Sequence, residues 1–160
     1  MKELTHTCHY KLCSYDELPE QERQLIDTAK HATERSYAPY SHFHVGAAAL
    51  LADGTVVTGN NQENAAYPSG LCAERTTLFY ANAAHPDTAV VALAIAAYTN
   101  GDFTPTPIAP CGACRQVMLE VENRYQRPIR TLLYGTKGIY LIEEGAAELL
   151  PLTFDASFLE

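Results

Sequence analysis

The sequence predicts an α/β domain built on one mixed β-sheet with helices packed on its faces, and three observations predict it. Helical and extended signals follow one another in the order α, β, β, α, β, α, β, β, α, a pattern that a single layered sheet accommodates. Residues 89–98 form a continuous apolar run containing Val90, Val91 and Ile95, which fits a strand covered on both faces. At 160 residues, 47% of them hydrophobic, the chain suits one domain, 1–160, which buries about 70% of its unfolded surface without help from disulfides.

The first helix is announced by Leu18-Pro19-Glu20-Gln21-Glu22, which puts proline and acidic residues in a first turn. It is expected to run to about Arg35, with Leu25, Ile26, Ala29 and Ala32 as its apolar stripe. Pro39-Tyr40-Ser41 then breaks the chain. Phe43 to Leu51 and Thr55 to Asn60 read as two strands joined at Asp53-Gly54, a strong hairpin dipeptide. A helix is expected over Cys72 to Ala83, the apolar strand over Ala89 to Tyr98, and a proline-marked loop over Thr106 to Pro110. Gly112 to Tyr125 reads as a third helix, Ile129 to Tyr134 and Ile139 to Ile142 as short strands. Gly145 to Leu150 reads as a short final helix stopped by Pro151.

Composition narrows the function. Lysine and arginine number 11 against 19 aspartates and glutamates, for a net charge of -8. Affinity for nucleic acid is built largely from basic contacts to phosphate, so a DNA or RNA polymer is not the expected partner. Met1 to Glu20 lacks the apolar core of a signal peptide, and the longest apolar run is about half a membrane span. The expected location is the cytoplasm, with no membrane partner. There the five cysteines are expected as free thiols or metal ligands rather than disulfides.

The chemistry concentrates in Cys72-Ala73-Glu74-Arg75 and Pro110-Cys111-Gly112-Ala113-Cys114. Cys111 and Cys114 stand three apart at an expected helix start, so their sulfurs can reach one ion. Helix N-termini favour the thiolate that zinc requires, and Cys72, opening another helix, can supply a third sulfur. Three protein ligands leave a fourth tetrahedral position for water, the open arrangement of a catalytic site. Glu74, two residues beyond Cys72, is placed to take a proton from that water and to deliver one to a leaving group. Three thiolates weaken a divalent ion as a Lewis acid, and Arg75 with the two helix dipoles can withdraw charge from them. Taken alone, Cys111 and Cys114 also suit a thiol–disulfide oxidoreductase or a structural zinc module. The first has no use for Cys72, and the second has none for an acid beside it.

Cys-x-Glu followed by Pro-Cys-x-x-Cys is close to the zinc-deaminase signature, with Cys72 at its histidine position. Further pieces stand in order around it: Tyr37-Ala38-Pro39-Tyr40-Ser41-x-Phe43-x-Val45-Gly46-Ala47, Asn61-x-Glu63-Asn64-Ala65-Ala66-Tyr67, Arg115-Gln116, and Leu149-Leu150-Pro151. From about Tyr37 to Phe154 the chain resembles the cytidine deaminase family in its small, three-cysteine form. The resemblance implies a three-layer α/β/α fold with a mixed five-stranded sheet, and one zinc ion per chain on Cys72, Cys111 and Cys114. It implies Glu74 as the proton shuttle in the hydrolysis of cytidine, and of deoxycytidine, to uridine or deoxyuridine plus ammonia, in pyrimidine salvage. Asn61 and Glu63, two apart at the end of an expected strand, face the same way, and the resemblance assigns them to the ribose 3'-hydroxyl. It further implies that Phe43 lines the nucleoside pocket and that the backbone of Ala73 contacts the base. Tyr67 and Phe154 match aromatics that approach from neighbouring subunits, which implies a homotetramer with shared active sites.

The chain also departs from the pattern. Residues 1–16 form an arm outside the resemblance, where Cys8 and Cys13, near His6 and His9, are expected to be free surface thiols rather than a second metal site. Thr99 to Pro107 reads as a lengthened loop. His42 and His44 alternate with Phe43 and are expected to face away from the pocket. The nearest rival reading is a deaminase of a modified or blasticidin-type nucleoside on the same scaffold. The Asn61-x-Glu63 pair favours ordinary nucleosides, because it would read an unmodified ribose.

Overall fold

The structure, a computed structural model, describes residues 1–159. Its strands are β1 (Lys11–Cys13), β2 (His44–Leu51), β3 (Val56–Asn60), β4 (Val90–Thr99), β5 (Asp102–Phe103), β6 (Arg130–Gly135) and β7 (Gly138–Ile142). Its helices are α1 (Glu20–Ala32), α2 (Ala73–Ala84) and α3 (Gly112–Tyr125). The strands lie in the order β1-β7-β6-β4-β2-β3, with β5 paired to β4 off this path. Among the strands of the described residues, β4 and β6 pair in parallel and the other strand pairs are antiparallel.

Strand periodicity explains the three layers. Ala48 and Leu50 of β2 and Ala92, Ala94 and Ala96 of β4 join Leu25, Ile26 and Ala29 of α1 in one apolar cluster. Their alternating neighbours Ala47, Ala49, Leu51, Leu93, Ile95 and Ala97 join Leu78 of α2 and Met118 and Leu119 of α3 in the other. Side chains of period two therefore feed both faces. This is why residues 89–98 carry no polar alternation.

The α/β/α layering is the expected one, but the sheet has seven strands rather than five. The five expected strands are β2, β3, β4, β6 and β7. The free edge of β7 offers unpaired backbone groups, and β1 takes them, Lys11 opposite Leu141 and Cys13 opposite Ile139. The expected loop after β4 instead reverses at Asn100 and Gly101 to form β5, whose Phe103 ring meets those of Tyr98 and Tyr134 at centroid distances of 5.3 and 5.7 Å.

Boundaries otherwise shift by a residue or two, and α1 ends earlier than expected. Thr33–Arg35 continue it only as a 3-10 turn. Thr33 Oγ1 donates to the Lys30 carbonyl at 2.7 Å and Ser36 Oγ to the Thr33 carbonyl at 2.8 Å, side-chain bonds that compete with the helical ladder. The short final helix is likewise a 3-10 turn, Ala146–Leu149.

The arm is held from His9 onward. The His9 backbone N–H donates to the Glu148 carboxylate at 2.5 Å, and the Tyr10 ring lies 4.9 Å from that of Tyr140. Lys11 pairs with Glu143, which also accepts from Arg130 at 2.6 Å. Cys8 is exposed as expected, but Cys13 is not a surface thiol. Once β1 joins the sheet edge, its Sγ is half-buried and donates to the Ile139 carbonyl at 3.6 Å.

One close approach sets the position of α2. A Cβ on Gly59 of β3 would stand 2.6 Å from Thr77 Oγ1 and 2.7 Å from the Thr77 backbone nitrogen. Only glycine lets the helix lie this near the strand. No helix among the described residues is long and apolar enough to cross a membrane.

Candidate active site

Both α2 and α3 are entered through a cysteine in extended conformation. Cys72 (φ -71, ψ 156) caps α2, and Cys111 (φ -66, ψ 166) caps α3. The Cys72 carbonyl accepts the Thr76 N–H and the Cys111 carbonyl the Arg115 N–H, each at 3.0 Å, so each cysteine starts a helical ladder while its side chain stays outside it. The two entrances meet: Cys72 Sγ lies 3.7 Å from Cys111 Sγ, which lies 3.4 Å from Cys114 Sγ. All three sulfurs fall within 4.8 Å of one another.

This spacing fits zinc. Ligand sulfurs about 2.3 Å from a tetrahedral ion stand about 3.8 Å apart. The donor set also fits, since thiolates select zinc among common divalent ions. Cys114 is fully buried, Cys72 half-buried and Cys111 exposed, so the cluster is closed from the core and open on one side.

The hydrogen bond from Cys114, assisted by Arg75 and opposed by burial, lowers the Cys72 thiol to about 5. The same bond, together with burial and the Glu74 charge, pushes Cys114 upward. Arg75 Nη2 stands 3.8 Å from Cys72 Sγ, within sulfur hydrogen-bond reach. Its Nε is buried with no acceptor among the described residues.

Glu74 is the second residue of α2 and is only 3% exposed. Burial, with the neighbouring Cys72 charge, raises its pKa, against a hydrogen bond from its own backbone N–H. It lines a cavity of about 430 Å³ with Phe43, Asn61, Glu63, Cys72, Ala73 and Cys111, as well as Ser41, Val45, Ile108 and Ala109. A buried carboxyl with a raised pKa beside a metal-ligand cluster can hold a proton and release it.

Asn61 and Glu63 do border one cavity, although they follow β3 in a loop rather than ending the strand. Gln62 between them bridges to Tyr37 and Leu71. The Asn61 amide clamps the chain beside Phe43, accepting from the Val45 N–H and donating to the Phe43 carbonyl, each at 2.8 Å. Glu63 accepts from the Tyr40 N–H at 2.9 Å, the Ser41 N–H at 3.3 Å and the Ser41 hydroxyl. The Ser41 hydroxyl bond first, then the backbone donors, hold its carboxyl below the usual range.

Tyr67 and Phe154 are not among the described residues lining this cavity. Tyr67, 74% exposed, borders an adjoining cleft of about 500 Å³ with Tyr40, Glu63, Cys72 and Arg75. Phe154 is 56% exposed and stacks on Phe158 at 5.6 Å. His44 turns to Ser36 Oγ at 2.6 Å, and neither it nor His42 is among the cavity-lining residues described.

Two residues quoted only as part of a motif gain work in the structure. Arg115 donates from Nε to the Pro110 carbonyl at 2.8 Å and from Nη1 to the Leu149 carbonyl at 2.6 Å. Gln116 donates to the Phe154 carbonyl at 2.8 Å. Together they tie the two-cysteine turn to the C-terminal segment. Their signal was their place directly after Cys114, on the first turn of the ligand-bearing helix.

The chain is similar to known proteins over most of its length. Residues 19–126 match the family model described as the cytidine and deoxycytidylate deaminase zinc-binding region, a span that includes all three cysteines and Glu74. A cytidine deaminase from Halalkalibacterium halodurans is 45% identical over 136 residues, 84% of this chain and 94% of that protein. One from Sporosarcina psychrophila is 44% identical over 131 residues, 82% and 89% of the two chains. Among solved structures, a cytidine deaminase from Burkholderia pseudomallei superposes with a TM-score of 0.68 at 44% identity, covering 82% of this chain and 97% of its own. One from Mycobacterium tuberculosis gives 0.64 at 32% identity, covering 84% and 97%. The converging sulfurs, the buried acid and these likenesses agree, and the chain belongs to the zinc-binding cytidine and deoxycytidylate deaminase family.

Proposed function

We propose that this chain hydrolyses the exocyclic amino group of free cytidine, and of deoxycytidine, releasing ammonia and leaving uridine or deoxyuridine for pyrimidine salvage. The observation that carries the reading is a carboxyl, Glu74, buried at the entrance of the helix whose capping cysteine belongs to a three-sulfur cluster. Both open on one nucleoside-sized cavity.

Zinc held by Cys72, Cys111 and Cys114 would supply Lewis acidity, making water acidic enough to lose a proton near neutral pH. Glu74 accepts that proton and passes it to ring N3, which makes C4 more electrophilic as the water oxygen bonds to it. Glu74 then takes the proton remaining on that oxygen and gives it to the exocyclic nitrogen. The C4–N bond breaks, ammonia leaves, and the carbonyl of uridine forms. Phe43 borders the base, the first-turn backbone of Ala73 meets it, and Glu63 with Asn61 receives the ribose. A fixed carboxylate at that point accepts from a hydroxyl and repels a phosphate. Exposed Tyr67 and Phe154, with Phe79 and Tyr80, support a homotetramer in which neighbouring subunits complete each site.

The test is the loss of absorbance at the cytidine band on adding protein. Steady loss, abolished by a zinc chelator, is expected for cytidine and deoxycytidine. Preference for free cytosine would overturn the ribose reading, and preference for blasticidin would favour the modified-nucleoside deaminase.

A further inference from the structure

We propose that Ser41 is the positioning residue that sets the specificity of the site for a free ribose hydroxyl, by fixing which acceptor position of Glu63 faces the cavity. The inference rests on the ribose reading above and goes beyond it to a residue that does not itself touch the base.

Glu63 follows Gln62 in a loop with one isolated bridge on each side, so no regular element holds its side chain. What holds it is the turn between α1 and β2. The Tyr40 and Ser41 backbone N–H groups take one carboxylate oxygen, at 2.9 and 3.3 Å. The Ser41 hydroxyl donates to the other oxygen and accepts the Phe43 N–H at 3.1 Å. Ser41 is the only one of these donors that reaches the second oxygen, and it borders both the catalytic cavity and the adjoining cleft. The next residue, His42, sits at φ +54, in the left-handed region that costs a non-glycine residue free energy. The turn keeps that geometry while it wraps the carboxylate.

A carboxylate has about four acceptor positions. With three filled from this turn, about one remains for a ligand, and it is an acceptor only. A nucleoside hydroxyl can donate to it; a phosphate ester cannot and meets a fixed negative charge. The lowered pKa of Glu63 keeps the group in that form through neutral pH.

The experiment compares Ser41→Ala, Ser41→Thr and Glu63→Gln with the unaltered protein on cytidine, 2'-deoxycytidine and 2',3'-dideoxycytidine. It also measures binding of uridine and 2',3'-dideoxyuridine by calorimetry. Ser41→Ala is expected to raise KM for the first two substrates and Kd for uridine about tenfold. Expected changes are about twofold or less in kcat and in both constants for the dideoxy compounds. Ser41→Thr, which keeps the hydroxyl, restores most of the difference, and Glu63→Gln shows the same selectivity as Ser41→Ala. A brace acting only through Phe43 would weaken hydroxylated and dideoxy ligands alike, since the members of each comparison share one base, cytosine among the substrates and uracil among the binding ligands; a uniform loss in Ser41→Ala overturns the inference. If Glu63→Gln is itself unselective, the ribose reading falls and takes this inference with it. If Glu63→Gln is selective and Ser41→Ala is not, only the role of Ser41 falls.

Discussion

The two helix entrances that build the site are near copies in backbone and opposites in content. Cys72 and Cys111 occupy the same capping position with dihedrals within about 10° of each other. Two residues on, α2 carries Glu74 and α3 carries Ala113; three on, α2 carries Arg75 and α3 carries Cys114. One entrance therefore gives a single sulfur plus the acid and a counter-charge. The other gives two sulfurs and no ionisable chemistry besides. The acid needs burial to raise its pKa, and the α2 entrance, against β2 and β3, supplies it. The α3 entrance instead spends its buried position on Cys114. Chemistry and anchorage are thus divided between two copies of one motif.

The sharpest way to break this division is at Glu74. Glu74→Gln is expected to keep its zinc, measured by metal analysis, and to lose turnover about 10³-fold, or about 4 kcal/mol of transition-state stabilisation. Substantial residual activity would take the acid out of the mechanism. On the anchoring side, Arg115→Ala strips the donors from the Pro110 and Leu149 carbonyls. It should cost about tenfold in kcat/KM and speed the escape of zinc to a chelating dye, whereas unaltered zinc exchange would confine Arg115 to holding the C-terminal segment. The smallest expected effect separates the sulfurs. In chelator-treated protein, Cys114→Ala should lower unfolding stability by about 1 kcal/mol more than Cys72→Ala, because only Cys114 fills core volume. Equal melting curves would mean that the α3 entrance is no better anchored than the other.

Much of this was legible in the residues, and what was not has physical reasons. Periodicity and capping placed the three helices and the five longer strands, and α3 begins and ends where its pattern does. The Asn100-Gly101 dipeptide was readable as a tight turn: both residues take positive φ, 53° and 86°, the hairpin combination. The pattern nevertheless predicts a loop there, because the returning strand, Asp102–Phe103, is too short for alternation to register. β1 left no such trace. Three residues without a pattern become a strand only because β7 offers an open edge, a tertiary fact. For the site, residue type and spacing single out Cys72, Glu74, Arg75, Cys111 and Cys114, and the structure places them together at two helix entrances. That residues 39 positions apart bring their sulfurs to 3.7 Å follows from where the sheet delivers two helix starts. The sequence assigns Ser41 no role beyond its place in a motif, since its partner Glu63 lies 22 residues away across a loop that no local signal describes.

The bite of the sulfur cluster is fixed from behind, by an atom that is missing. Thr77, which would collide with any side chain on Gly59, sits one turn along from Ala73 and donates its hydroxyl to the Ala73 carbonyl at 2.8 Å. A methyl group at position 59 would need about 1 Å of retreat to reach ordinary contact distance. A zinc–sulfur bond tolerates only about 0.2 Å. Pushing α2 off the sheet by that much would displace its sulfur relative to the pair on α3, leaving Cys72 in the sequence but out of register with Cys111 and Cys114. The jaw of the metal site is thus calibrated by a hydrogen on a strand that never meets the ion.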